Sequence, residues 1–440
     1  MWAASSRKIA WRAFGCMMAD VLRGMLGLCV LIAIGIALSQ NRGAIKPRVV
    51  ISALALQVAI GVLMLFVRPG RRALEASAAA VNQVIAYGDK GMEFMFGSLV
   101  GTRMHELFGD TGFVFAFRVL PTIIYVSALI AVLYHLGVMR WIVQALGRVF
   151  QVLIGVSRLE SFSAVTTIFI GQSEMPVALR PFAADLKGPE LFAVMTSGMA
   201  AVAGSTLAGY AGLGVRLDYL LAASFMAVPG GLLFAKLICP TTEPSGIDFE
   251  DVHFDPRPPA NVIDAAATGA VLGLKVAVNV GAMLIAFIGL IALLNGTVSG
   301  VMGWFGYPEL NLDALIGHAF SPLAWLIGVP WGQSGIAGSL IGQKLMLNEF
   351  VGYARLAPYL KEPAAVVASG LMVLDAKTIV IVSFALCGFA NLSSIAVLVG
   401  GFGAVAPNLR APIARYGVRA VAAASLSNLA SATIAGALLG

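Results

Sequence analysis

The stretch Gly171-Gln172-Ser173-Glu174-Met175-Pro176 sets an amide and a carboxylate inside an apolar run that extends from Phe162 to Phe182. A carboxylate at membrane depth is costly unless it binds something or lines a watery cavity, so Gln172, Ser173 and Glu174 are candidates for holding a polar solute. The arms on either side, about 9 and about 8 residues, fall short of the ~20 that cross a bilayer as helix. The segment is therefore expected to fold as a re-entrant hairpin, because irregular backbone survives in a membrane only where protein buries it or water reaches it. A second Gly-Gln-Ser, at 332–334, lies in Pro330-Trp331-Gly332-Gln333-Ser334-Gly335, the expected tip of a second hairpin over about 314–357. Gln333 and Trp331 are weaker candidates, since a Trp beside a Pro also serves to anchor a hairpin.

Two apolar runs carry helix-weakening residues in their middle. Gly204-Ser205-Thr206 and Gly209 interrupt Leu191–Leu213, and Gly388-Phe389-Ala390-Asn391-Leu392-Ser393-Ser394 separates Ile379–Cys387 from Ile395–Val405. Gly costs a helix interior ~1 kcal/mol relative to Ala, and Asn and Ser compete for backbone hydrogen bonds, so both runs are expected to unwind there. Freed backbone groups and half-helix ends can then bind a polar solute or a cation.

Positioning such residues requires a membrane-embedded framework, and the composition supplies one. Hydrophobic residues make up 59% of the chain and charged residues 12%, against ~25% charged in soluble domains. Mean hydropathy is +0.90. The chain reads as an all-α polytopic membrane protein of about eight transmembrane helices with two re-entrant hairpins and interfacial helices. Spans are expected at about 24–39, 49–67, 112–136, 190–213, 218–238 and 274–295, and amphipathic surface helices at about 71–108 and 138–157. Arg7, Lys8, Arg12 and Arg23 precede the first run, but no A-x-A-like cleavage site follows, so a transmembrane helix is preferred to a signal peptide. The expected organisation is N-terminal scaffold spans over 1–70, a first half over 71–239, a polar linker over 240–261 and a second half over 262–440. Each half holds one hairpin followed by one broken span, the mark of the inverted repeats of secondary transporters.

Other classes find little support. The net charge of +7 suits juxtamembrane Lys and Arg facing anionic lipid, and no compact basic motif points to nucleic acid. Cys16, Cys29, Cys239 and Cys387 are scattered, which suits neither disulfides nor zinc. His105, His135, His253 and His318 are dispersed, and no HExxH, paired Asp motif or GxSxG stands in a span, which disfavours an intramembrane enzyme. A passive channel remains the rival to a transporter.

GQSEMPVALRPF at 171–182, GSTLAGY at 204–210, LNEFVGY at 347–353, ALCGFANLSSIAVLVGGFGAVAP at 385–407 and LSNLASATIAG at 426–436 resemble the concentrative nucleoside transporter family. The blocks follow the family's order and cover most of residues 70–440. The resemblance implies a nucleoside:cation symporter of the plasma membrane, the inner membrane in a bacterium. It further implies a homotrimer whose transport domain moves like an elevator against a fixed scaffold, with no cofactor beyond the coupling ion, H+ or Na+. It also implies roles for single residues. Gln172, Ser173 and Glu174 would read the edge of the base, with Thr206 against it. Glu349, with Asn391 and Ser394, would hold the ribose, a carboxylate being a strong acceptor for vicinal hydroxyls. Phe389 would pack on the apolar face of the solute. The structural alternatives are ion pairs of Glu174 with Arg180 and of Glu349 with Lys344, while Asp375 and Lys377 are expected to be solvated surface charges.

The resemblance lapses at the expected cation site. Sodium-coupled members have Asn five residues before the tip Gln and Ser three before the Gly-Ser of the broken helix; here those positions are Thr167 and Ala201. The Thr167 hydroxyl and the carbonyls of Ile170 and Val202 remain as hard oxygen ligands. A buried carboxylate, Glu174 or Glu349, can carry a proton instead. The expectation is proton coupling, with sodium as the family's default.

Overall fold

A computed structural model describes residues 2–101, 104, 114–241, 259–307 and 309–439, with residues 2–19 described as backbone alone. The side chains of Arg7, Lys8, Arg12 and Cys16, the residues His105 and His253, and the linker acids Glu243, Asp248, Glu250, Asp251 and Asp255 lie outside the described residues. Among the described residues every regular element is a helix.

The first helix, α1, is Trp2–Ala37, and α2 is Pro47–Gly61, extended by a wider turn through Phe66. Pro47 opens α2, where its missing N–H costs no hydrogen bond. The surface helix α3, Arg68–Phe96, buries Leu74, Ala78, Gly88 and Met92 along one face and leaves the Arg71–Glu75 and Lys90–Glu93 pairs exposed. It ends at Gly97, whose φ of 54° stops the helix well before residue 108. A transmembrane helix, α4, Phe115–His135, leads into the amphipathic α5, Val138–Ile154. Gly137 and Gly155 bracket α5 with φ of 79° and 81°, a left-handed conformation that glycine adopts without a Cβ penalty.

The first hairpin begins with α6, Arg158–Thr166, held by a reciprocal cap in which Ser157 Oγ accepts from Glu160 N and Glu160 Oε2 accepts from Ser157 N. Its return arm is a single turn, α7, Met175–Ala178, followed by tight turns to Asp185. Pro176 and Pro181 account for this irregular arm, since each removes a backbone donor. Next comes the first broken span, α8, Gly188–Ala200, and α9, Gly204–Gly212, interrupted at Ala201–Ala203. The central helix α10, Leu217–Ile238, is buried almost along its whole length.

In the second half, α11, Val262–Trp304, is one helix of 43 residues, about 65 Å long at 1.5 Å per residue. The sequence suggests a span over 274–295 and a separate amphipathic piece; no proline stands between Asn295 and Trp304, so the helix continues to Trp304 instead. The second hairpin is α12, Leu312–Leu326, and α13, Trp331–Met346, which meet at 114°. A short α14, Glu349–Leu356, and α15, Pro363–Ala368, precede the second broken span, α16, Ala376–Leu386, and α17, Ser393–Val405. The chain closes with α18, Arg410–Leu439. Among the described residues seven stretches are long and apolar enough to cross a membrane, eight if the bent pair α12–α13 is taken as one, and α16 and α17 are shorter apolar helices.

Small residues let these helices approach closely, as membrane packing requires. A Cβ on Gly269 or Gly273 of α11 would fall 2.5 Å from Ala131 Cβ or 2.7 Å from Ser127 Cβ of α4. On α10, a Cβ on Gly230 would meet Gln57 and Ser427 at 2.5 Å, which brings α2, α10 and α18 together. Charged ties complete the frame. Lys236 of α10 forms a buried ion pair with Glu160 of the first hairpin. Arg23 of α1 donates to the carbonyls of Trp325 and Val329 at the second hairpin. Lys377 is not a solvated charge but pairs with Asp20 at 2.7 Å.

Candidate functional site

The tip of the first hairpin is wedged between the two breaks. A Cβ on Gly171 would stand 3.4 Å from Ala203 Cβ in the first break and 4.0 Å from the ring of Phe389 in the second. The breaks also touch each other, Phe389 N donating to Ala201 O at 3.4 Å. Within this wedge Gln172 is buried against Gly198 and donates from Nε2 to Ser394 Oγ at 2.7 Å. Its Oε1 is buried with no hydrogen-bond partner. A buried acceptor left unsatisfied costs ~1–3 kcal/mol, so a solute donor reaching it would be favoured.

Ser394 and Asn391 are placed by the start of α17. Asn391 Oδ1 accepts from Ser394 N at 2.9 Å and Ser393 Oγ at 2.7 Å, capping the helix after the break. Ser394 Oγ faces Phe389 O at 2.6 Å, so the backbone of the break holds it in place. Asn391 Nδ2 then donates to Glu349 Oε2 at 3.0 Å. Glu349 opens α14 behind its cap, Asn348, whose side chain accepts from Val351 N at 2.9 Å. A helix N-terminus favours a carboxylate. Its Oε1 accepts from Tyr210 OH at 3.0 Å. A carboxylate offers about four acceptor sites, so Glu349 keeps capacity for a pair of hydroxyl donors.

A continuous bridge therefore runs from Gln172 through Ser394 and Asn391 to Glu349 and Tyr210, and it joins the first hairpin, both broken spans and the helix after the second hairpin. Tyr210 belongs to the GSTLAGY block but its role escapes a sequence reading. The available signal is its spacing: it follows Thr206 by four residues, on the same face of α9. Its ring also packs on Phe350 and Tyr353, with centroids 4.6 Å and 4.4 Å away.

Other candidates stand apart from the bridge. Thr206 is buried and turns its hydroxyl back to Ala203 O at 2.7 Å in the first turn of α9. Ser173 is exposed and Glu174 half-buried at the rim of the tip. Arg180 is exposed and forms no ion pair with Glu174 among the described residues. The alternative pairing of Glu349 is likewise absent among them, because Lys344 donates to Ala385 O at 2.9 Å and Asn428 Oδ1 at 2.7 Å. In the second hairpin Gln333 and Trp331 lie in the first turn of α13, beyond the bend at 327–330. Trp331 is 64% exposed and edge-on to Trp325 at 6.5 Å, and Gln333 Oε1 accepts from Asp375 N.

Of the cation candidates, Thr167 and Ala201 meet at Ser197 O in the last turn of α8. Thr167 Oγ1 donates to Ala164 O at 2.7 Å and lies 3.4 Å from Ser197 O, which leaves its oxygen free to accept or ligate. Ala201 and Val202 are buried in the break, and Ile170 is half-buried in the tip beside it. The carbonyls of Ile168 and Phe169 face Gly204, within 3.8 Å and 3.9 Å of where its Cβ would be.

Three family models match along the chain: Na+ dependent nucleoside transporter N-terminus at residues 26–99, nucleoside recognition (Gate) at 116–216, and Na+ dependent nucleoside transporter C-terminus at 219–436. The nucleoside permease NupC of Helicobacter pylori is 44% identical over 95% of this chain and 98% of its own length. Among solved structures, CNTnw in an inward-facing substrate-bound state is 53% identical, with a TM-score of 0.91 over 96% of this chain and 98% of that one. A doubly substituted CNTnw in an outward-facing state is also 53% identical, with a TM-score of 0.92 over 96% of this chain and 98% of that one. None of these relatives is an enzyme.

Proposed function

The chain belongs to the concentrative nucleoside transporter family, and from that premise we propose that it imports nucleosides across the plasma membrane as a cation symporter. The observation that carries this reading is the buried bridge from Gln172 to Glu349. One end offers an amide with an unsatisfied acceptor, suited to the polar edge of a base, and the other a carboxylate with open acceptor sites, suited to ribose hydroxyls. Phe389, at the second break, supplies an apolar surface between them. Thr206 and the rim residues Ser173 and Glu174 complete the base end.

Because the bridge spans pieces of both halves, the solute is held only when the first hairpin and both broken spans are assembled. Movement of that unit as a body, with the α4–α11 pair and the spans of residues 1–70 fixed in a homotrimer, gives alternating access. The relatives solved in inward-facing and outward-facing states support this elevator reading.

The coupling ion is the proton in this proposal. Of the cation candidates Thr167, Ile170, Ala201 and Val202, only Thr167 offers a side-chain oxygen, and Phe389 N already engages Ala201 O, a poor set for stripping water from sodium. Accumulation of radiolabelled uridine and adenosine in sealed vesicles tests the whole reading. Uptake is expected to exceed equilibrium under an inward proton gradient, to collapse with a protonophore and to survive replacement of sodium by choline. The double substitution Thr167→Asn with Ala201→Ser, which exchanges a hydroxyl for the stronger amide oxygen and adds a second side-chain oxygen, is expected to make uptake sodium-sensitive. Native uptake that vanishes in choline assigns the ion to sodium, and purely downhill flux makes the protein a passive channel.

A further inference from the structure

Among the buried charged residues that the symport reading does not use is Lys344. Lys344, in the last turn of α13, is 3% exposed, and its ammonium faces no carboxylate at ion-pairing distance among the described residues. It donates to Ala385 O in the final turn of α16 and to Asn428 Oδ1 on α18. Asn428 is itself buried, and its Nδ2 donates to Ala200 O at 2.7 Å and Cys387 O at 2.9 Å. All three backbone oxygens lie where a broken span ends its first half, and such ends carry unpaired carbonyls and partial negative charge. Lys344 and Asn428 thus satisfy, from two other helices, the backbone groups that unwinding frees.

The chemistry of the pair fixes its orientation. An ammonium only donates, so it holds the amide oxygen of Asn428 toward itself and turns the NH2 toward the two carbonyls. The space is closed to alternatives, for a Cβ on Gly388 would fall 2.3 Å from Asn428 Oδ1 and 2.6 Å from Ala200 O.

This contact lies between the two ends of the transport problem. On one side, the last turn of α8 carries Ser197 O, which faces the Thr167 hydroxyl, then Ala200 O, then the break at Ala201 and Val202. On the other side, Cys387 and Gly388 lead directly into Phe389, Asn391 and Ser394, the residues that meet Gln172 and Glu349. We propose that Asn428, oriented by Lys344, is the positioning residue that couples the cation site to the nucleoside site by gripping the ends of α8 and α16 in one amide. A cation held by the carbonyl oxygens at the end of α8, hydronium under proton coupling or sodium under the family's default, shifts Ala200, and through Asn428 that shift reaches Cys387 and resets Asn391 and Ser394 against the solute. This coupling rests on the symport reading, and its test separates the two.

The test measures the dissociation constant of uridine by calorimetry on the purified full-length protein, at low and high pH and in sodium or choline. The readout is the ratio of affinities with and without the coupling cation, which a merely structural defect leaves unchanged in the folded fraction. The native protein is expected to show a ratio of tenfold or more for one cation. Asn428→Ala is expected to bring that ratio within twofold of one. Asn428→Asp, which keeps an acceptor for Lys344 but loses both amide donors, is expected to do the same, as is Lys344→Met, whereas Lys344→Arg is expected to retain most of the ratio. Gly388→Ala, which pushes the amide off Ala200 O without removing it, gives an independent route to the same loss. A native ratio that persists in Asn428→Asp and Gly388→Ala overturns the coupling and leaves symport standing. Native binding indifferent to both cations overturns symport and the coupling together, while leaving the nucleoside site intact.

Discussion

The two hairpins carry the same Gly-Gln-Ser tripeptide and use it differently. In the first, Gly171 slots between the breaks and Gln172 is buried on Ser394. In the second, Gln333 sits past the bend and caps the approach to α16 through Asp375 N, beside a largely exposed Trp331. The second hairpin serves the site from its other end, where α13 delivers Lys344 and the next helix opens with Glu349. The difference follows not the tripeptide but its distance from the unwound backbone, which at the first tip sets a buried amide with an unsatisfied oxygen against both breaks.

That contrast can be broken most sharply at Glu349. Glu349→Gln is expected to weaken nucleoside binding by about 2–5 kcal/mol, since charge-assisted bonds are lost in a desolvated site. Uptake near the native level at equal membrane expression would remove Glu349 from the site. Tyr210→Phe deletes one donor to that carboxylate and leaves the ring packing on Phe350 and Tyr353 in place. A loss of about 1.5 kcal/mol is expected, shared equally by all nucleosides that carry the same sugar. Competition by 2′-deoxy and 3′-deoxy nucleosides checks this, and a change confined to base ranking contradicts it.

At the first tip, Gln172→Ala is expected to cost about 1 kcal/mol and to flatten the ranking of bases more than the sugar requirement. A relaxed sugar requirement with an unchanged base ranking would reverse the two ends of the site. The smallest effect is expected at the second tip, where Gln333→Ala removes a single bond to Asp375 N at an exposed position. Its effect on affinity is expected to stay under ~0.5 kcal/mol. A loss as large as that of Gln172→Ala would make the two tips equivalent and dissolve the comparison.

Local sequence rules reach a definite depth here. The knot at 171–176 and the second break, expected at 388–394 and found at 387–392, are legible because each depends on residues within a few positions of one another. The first break falls at Ala201–Ala203, just ahead of the Gly204-Ser205-Thr206 and Gly209 expected to unwind, which lie in α9 instead. The amphipathic face of α5 is legible from its spacing. The return arm of the first hairpin and the unbroken length of α11 are less so, since prolines and glycines bias a segment without fixing how its neighbours resolve the bias. Lys377 shows the limit for charges: nothing near it in sequence announces Asp20, more than three hundred residues away.

Hydropathy and helix propensity are properties of short windows, so a membrane-embedded chain, two segments that turn back and two spans that unwind are all readable from the residues alone. The sequence also carried the blocks that identify the family. Which polar groups meet is a matter of packing across the fold: Gln172 reaches Ser394, Tyr210 rather than Lys344 holds Glu349, and Lys344 and Asn428 close the ends of two broken helices instead. The physical reason is that an unwound helix frees backbone groups at a predictable place, while their partners come from whichever distant helix the packing of small residues brings within hydrogen-bonding reach.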